Sequence, residues 1–183
     1  MGDREACCIG ATVAAALGYL HGIPVLHRDL KAANVLLKGP APQELGEQTP
    51  VDHTTDLTSC EVKIGDLGLA KPASRAQTPV HTPQWMAPEV MKQEEYGRAA
   101  DVWALGMLLF EMLDLGPPYG DQLSLPELEA KVTAGELPAL RDPTAAGRAP
   151  VAFKVMKACL ATATERPTAQ QVAEMLQQGL SGP

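Results

Sequence analysis

The sequence predicts an α+β domain that is mostly helical, with one small β-ribbon. Three observations carry this. Apolar residues recur at helical spacing near the start, a segment in the middle is apolar on every side, and two short aliphatic runs flank a polar stretch. Over residues 5–21, Ile9, Val13, Ala16, Leu17 and Leu20 form one apolar stripe, which predicts an amphipathic helix. Pro24 ends it and is expected to push Ile23 towards an extended conformation. Residues 35–37 and 62–64 read as the two strands, and the first is expected to be buried. Residues 101–113, "DVWALGMLLFEML", are hydrophobic all round apart from Glu111, so this helix should be central, with Asp101 as its N-cap. Ser124 to Glu127 is a capping-box pattern for a further helix ending near Gly135. Thr168 and Gln171 form a second such box, opening a last helix through Val172, Met175 and Leu176.

The 183 residues suit one domain with a real core. A net charge of -7 argues against a nucleic-acid partner, which would favour a basic face. Cys7, Cys8, Cys60 and Cys159 make no C-x-x-C pair, so free thiols in a reducing compartment are expected. "MGDREACC" lacks the basic start of a signal peptide and, with Ala6, the myristoylation pattern. The apolar run at 7–20 is shorter than the roughly 20 residues a bilayer span needs. An intracellular, cytoplasmic protein with no membrane segment is therefore expected. Residues 39–61 hold three prolines and no Lys or Arg, and read as a flexible acidic insertion within the domain.

The chemistry is concentrated in "HRDLKAAN" at 27–34 and "GDLG" at 65–68. Phosphoryl transfer needs a carboxylate to orient the attacking hydroxyl, a cation for the moving phosphate and oxygen ligands for Mg²⁺. Asp29, Lys31 and Asn34 offer these in turn, and Asp66 adds a charged ligand directly after a strand. Gly68 is expected to supply backbone freedom there.

With "APE" at 87–89 these blocks follow the order H-R-D-L-x-x-x-N, D-x-G, A-P-E, and the chain resembles the protein kinase family. "TPQWMAPEV" (82–90), "DVWALG" (101–106) and "ERPT" (165–168) extend the likeness from residue 5 to about 180. The resemblance implies the kinase C-terminal lobe, with the ribbon at the catalytic cleft. Asp29 would be the base, Lys31 would reach the γ-phosphate of ATP, and Asn34 and Asp66 would hold Mg²⁺. Thr82 would shape the site of the substrate hydroxyl beside Asp29 and Lys31. Glu89 and Arg166 would form a buried ion pair, and Asp101 would anchor the backbone of the catalytic loop. Lys31 points to Ser/Thr specificity, and the wording "WMAPEV" is most similar to the tyrosine kinase-like group. Arg28 implies control by activation-loop phosphorylation, with Thr78 favoured over Ser74 and Thr82.

His27, Trp85 and Trp103 are expected to be packing residues, without a ligand. Leu67 stands where the family has Phe and is expected to pack inside. His81 stands where Gly is usual. No G-x-G-x-x-G and no V-A-I-K-type lysine occur, so the resemblance covers a partial domain lacking the N-terminal lobe. The implied partners are a protein substrate presenting Ser or Thr and that missing lobe. Beside the enzyme stand two other readings: a non-catalytic, pseudokinase-like binding or scaffold module, and a truncated fragment.

Overall fold

The computed structural model describes residues 1–39, 56–72 and 82–180. In chain order the elements are α1 (Asp3–Gly22), β1 (Val25–Leu26), β2 (Val35–Lys38), β3 (Glu61–Ile64), β4 (Lys71–Pro72), α2 (Pro88–Met91), α3 (Arg98–Asp114), α4 (Leu125–Thr133), α5 (Ala145–Arg148), α6 (Pro150–Cys159) and α7 (Ala169–Leu180). Short 3₁₀ turns at Ala32–Asn34, Leu57–Ser59, Leu67–Leu69 and Pro83–Trp85 join them. The mostly helical expectation holds.

α3 is the centre. Every residue from 100 to 113 is buried except Glu111, as its all-round hydrophobicity requires. α1 and α6 pack on it, and α7 lies along α1. Both capping boxes form: the Ser124 N–H donates to Glu127 Oε2 at 2.9 Å, and Thr168 and Gln171 exchange hydrogen bonds at 2.8 and 3.2 Å. Gly135 follows α4 at φ +78°, a left-handed value that a side chain would resist. Asp3 caps a different helix from its own, taking the N–H groups of Val151 and Ala152 at the start of α6.

Several expectations are corrected. Asp101 is not an N-cap: α3 begins at Arg98 with Gly97 in the cap, and the Asp101 carboxylate is engaged by the loop at residues 27 and 28 instead. Ile23 is not extended. It caps α1 at φ -98°, ψ 31°, its N–H donating to Leu20 and Tyr19. Among the described residues there are two ribbons, not one. β2 pairs with β3 antiparallel (Val35 opposite Ile64), as expected, and β1 also pairs with β4 (Val25 opposite Pro72). The β2 strand is half-buried, because its pleat turns Val35 and Leu37 to the core and leaves Leu36 58% exposed. Leu67 does not pack inside; it is 53% exposed on the 3₁₀ turn after Asp66. Of the insertion expected at 39–61, residues 40–55 lie outside the described residues. From Asp56 the chain has defined structure, with the Asp56 carboxylate accepting the Thr58 N–H at 2.9 Å.

Candidate active site

The two ribbons bracket the loop at 27–34: β1 leads into it, β2 leaves it, and β3 runs directly to Asp66. The loop is short of secondary structure, so its backbone donors need partners from elsewhere. Asp101 on α3 supplies them, its two carboxylate oxygens accepting the N–H groups of His27 and Arg28 at 2.9 Å each. His21 Nε2 joins the same carboxylate at 2.9 Å. Asp101 thus ties the loop backbone at residues 27 and 28 to α3.

His27 is fully buried, and its two ring nitrogens have distinct tasks. Nε2 lies 3.0 Å from the Gly65 carbonyl, and the Asp29 N–H points at Nδ1 at 3.3 Å. A carbonyl can only accept, so Nε2 carries the proton that faces it, while Nδ1 accepts from Asp29. This ring is the strut between the Asp29 loop and the residue before Asp66. A narrow pocket between the loop and α3 is lined by Asp29 and Thr82 together with the apolar Leu26, Leu30, Val90 and Ala104.

The structure brings Asp29, Lys31, Asn34 and Thr82 together. Lys31 Nζ lies 2.8 Å from Asp29 Oδ2 and donates to Thr82 Oγ1 at 2.6 Å. The Thr82 hydroxyl donates to Asp29 Oδ1 at 2.9 Å, and its N–H reaches the same oxygen at 3.3 Å. Asn34 Nδ2 donates to the Asp29 carbonyl at 2.6 Å and to Oδ2 at 3.0 Å. Burial alone would raise the Asp29 pKa, but the hydrogen bonds from Lys31, Thr82 and Asn34 outweigh it and hold the carboxyl below the usual range. Asp29 is an anion at neutral pH.

Asp66 sits at the end of a different tether. Its backbone is left-handed (φ 56°, ψ 66°), and its Oδ1 accepts the Gly68 N–H at 3.2 Å. The expected freedom of Gly68 is replaced by a steric reason: a Cβ there would stand 3.0 Å from Asp66 Oδ1. The left-handed residue is Asp66 itself. The Gly65 N–H donates to the Asn34 carbonyl at 2.8 Å, which ties the Asp66 segment to the Asn34 turn.

The residues present fit a hard divalent cation. With Nδ2 committed to Asp29, Asn34 keeps its amide oxygen for a metal, and Asp66 adds a carboxylate. No group of three or more His, Cys, Asp or Glu that could hold a metal occurs among the described residues. Two oxygen donors completed by phosphate oxygens and water are the Mg²⁺ pattern, unlike an all-protein cage.

The remaining predicted residues make contacts of their own. Glu89 and Arg166 form a bidentate pair at 2.5 and 3.0 Å, with Arg166 also donating to the carbonyls of Ala161 and Ala99 and lying 4.9 Å from the Trp103 ring centre. Arg28 is buried at φ 74°, its guanidinium 6.0 Å from the centre of the Tyr96 ring and within 3.4 Å of the Leu69 carbonyl. Ser74, Thr78 and His81 lie outside the described residues. Sequence reasoning missed two residues, His21 and Glu111. For Glu111 the signal was present: one carboxylate on a helix otherwise apolar all round.

The cluster is thus one aspartate carboxylate held by a lysine, a threonine and an asparagine at once. The protein kinase domain family matches residues 1–176, and the chain belongs to that family. Among similar proteins, the serine/threonine-protein kinase WNK4 of Rattus norvegicus is 41% identical over 126 residues, 67% of this chain and 9% of that protein. The probable serine/threonine-protein kinase WNK8 of Oryza sativa is 36% identical over 163 residues, 85% of this chain and 22% of that protein. The serine/threonine-protein kinase sid1 of Schizosaccharomyces pombe is 42% identical over 106 residues, 56% of this chain and 19% of that protein. The chain thus spans less than a quarter of the length of these relatives.

Proposed function

We propose that this chain is the C-terminal lobe of a Ser/Thr protein kinase catalytic domain, which transfers the γ-phosphoryl group of ATP to a Ser or Thr hydroxyl of a protein. The observation that carries the reading is the Asp29 carboxylate, held as an anion by Lys31, Thr82 and Asn34 at once. The substrate hydroxyl would bind at Asp29 Oδ1 beside the Thr82 hydroxyl, with Oδ2 occupied by Lys31 and Asn34. Its oxygen forms the new bond to phosphorus, the bond to the β-phosphate oxygen breaks to leave ADP, and the proton passes to Asp29. Lys31 balances charge on the transferred group. Asn34 and Asp66 would hold Mg²⁺, which when bound would neutralise charge on the phosphate oxygens.

Glu89 with Arg166, and Asp101, brace this arrangement. Gly68 leaves room for the Asp66 carboxylate. Phosphorylation of Thr78, read by Arg28, belongs to the same proposal. The subgroup remains the one the "WMAPEV" wording points to. Four free cysteines support an intracellular setting, and among the described residues no helix is long and apolar enough to cross a membrane.

Calorimetry of Mg²⁺-ATP binding to the chain, with transfer of labelled phosphate to a Ser/Thr peptide, tests the reading. Asp66→Ala should abolish binding, and Asp29→Asn should keep binding and lose transfer. No binding at millimolar nucleotide, or binding indifferent to Asp66→Ala, would favour the binding-module alternative instead.

A further inference from the structure

We infer that Cys8 and Cys60 form a modification site: a thiol pair that a peroxide converts to a disulfide, clipping the ribbon of β2 and β3 to α1.

The four free cysteines are of two kinds. Cys7 and Cys159 are buried, and burial pushes their thiols up to about 12, so neither supplies thiolate near neutral pH. Cys8 and Cys60 are partly exposed, and they meet at one place. The Cys8 thiol, on α1, donates to the Thr58 carbonyl at 3.8 Å, and the Cys60 thiol donates to the Asp56 carbonyl at 3.8 Å. Both carbonyls belong to the turn Leu57–Ser59, which has Asp56 as its N-cap and Cys60 as its C-cap. At about 2.0 Å of rise per residue they stand about 4 Å apart along the turn. Two oxidisable sulfurs from distant parts of the sequence therefore address the same short stretch of backbone.

That stretch is seated on the helix. The turn packs on α1, and Leu57 lies partly buried against the core. The Asp56 carboxyl is held below its usual range first by the hydroxyl and N–H of Thr58, and to a lesser degree by the charge of Arg4, one turn before Cys8 on α1. The backbone is fixed by these contacts, whereas a thiol is a weak donor and its own bond does little to hold it. Closing a disulfide then asks for rotation of two side chains, and the bond would hold the Cα atoms at about 4.4–6.8 Å.

The chemistry balances with hydrogen peroxide as the oxidant. One thiolate attacks a peroxide oxygen, the O–O bond breaks, and a sulfenic acid and water result. The second thiol attacks that sulfur, the S–S bond forms, the S–O bond breaks and a second water leaves. Two thiols lose two electrons and two protons in all, and a thiol reductant reverses the change. A reversible bond of this kind is compatible with a reducing compartment, where disulfides are transient and redox-sensing.

The clip falls at a particular point of the fold. Cys60 directly precedes Glu61, the first residue of β3, which pairs with Lys38; at the other end Ile64 pairs with Val35. Asn34 and Asp66 lie just beyond that second end, about 13 Å of strand away. Oxidation would anchor to α1 the far end of the ribbon that carries both.

The test treats the reduced 183-residue chain with hydrogen peroxide, alkylates the remaining thiols and reads the digest by mass spectrometry. A linked Cys8–Cys60 peptide pair should be the main product, and dithiothreitol should restore all four thiols. The β3 amides of the oxidised chain should exchange with deuterium more slowly, by roughly tenfold, because local opening of the ribbon is restrained. Cys8→Ser and Cys60→Ser should each abolish both the linked pair and the slowing. Oxidation in urea is the control for the fold, and there Cys60 should pair with Cys7 and Cys8 alike. In the folded chain, a Cys7–Cys60 bond, a disulfide-linked dimer, or sulfenic and sulfinic acids with no bond would overturn the inference. The same mixture of products with and without urea would overturn it too.

Discussion

Replacing Arg166 by methionine should be among the most damaging single changes in the molecule. Its guanidinium is 1% exposed and its partner Glu89 12%, so the pair is effectively out of water. Arg166 makes two bonds to the Glu89 carboxylate, two to backbone carbonyls and one face-on contact with Trp103. Methionine keeps most of the volume and none of the donors. Removing one partner of a buried pair strands the other charge, at a cost of about 3–5 kcal/mol. The carbonyls of Ala161 and Ala99 each lose a donor, worth about 1 kcal/mol apiece before water compensates. Since these losses overlap, about 4 kcal/mol is expected, a large share of the roughly 5–15 kcal/mol that holds a domain together. Urea unfolding followed by tryptophan fluorescence reads it as a fall in midpoint at constant slope. Pairing the change with Glu89→Leu should recover part of the loss, because no charge is then left unpaired. A single-variant loss under about 1 kcal/mol would refute the account of a desolvated pair and make this an ordinary surface bridge.

Three further outcomes follow from particular contacts. Gly106→Ala should destabilise by about 1–3 kcal/mol in the same urea assay, because the new Cβ would lie 2.8 Å from Cys159 Cβ on α6 and equally close to a Leu160 methyl; a neutral result would mean the helices separate freely. Burial pushes the thiols of Cys7 and Cys159 up to about 12, so Cys8 and Cys60, both partly exposed, should react first with a thiol reagent, and equal rates for all four would contradict the packing. Asp29 has its folded pKa below the 3.8 of a free aspartate, so its contribution to stability is complete above that value and lost as pH falls through the lower folded one. Wild type should therefore lose stability faster than Asp29→Asn below pH 3.8, and parallel acid profiles would show that the carboxylate is not held by its three donors.

The parts of the fold that were legible in the sequence are those written in local pattern. The stripe of α1, the all-round burial of α3 and both capping boxes depend on residues three or four apart, and all formed. The site was legible for another reason: Asp29, Lys31 and Asn34 lie within one short loop, and Thr82 and Asp66 sit in blocks whose order is distinctive. What escaped was spent at long range. Asp101 looked like a cap because it opens an apolar run, but its oxygens serve His27 and Arg28, 74 and 73 residues earlier. Asp3 likewise caps a helix 148 residues away. The ribbon of β1 with β4 is two residues long on each side, too short for any alternation to register. Leu67 was read from its apolarity alone, while its exposure is decided by the left-handed turn at Asp66 that lifts it outward.

The grip of α3 on the loop also fixes an order of assembly. As the chain is synthesised, His27, Arg28 and Asp29 emerge long before the helix that supplies their partners. Until α3 has emerged and folded, the loop has neither Asp101 before the base nor Glu111 after it, and the chain is a helix followed by two ribbons with unmet donors. The geometry of the candidate site is a late event in the life of the polypeptide, acquired when its most apolar segment closes the core.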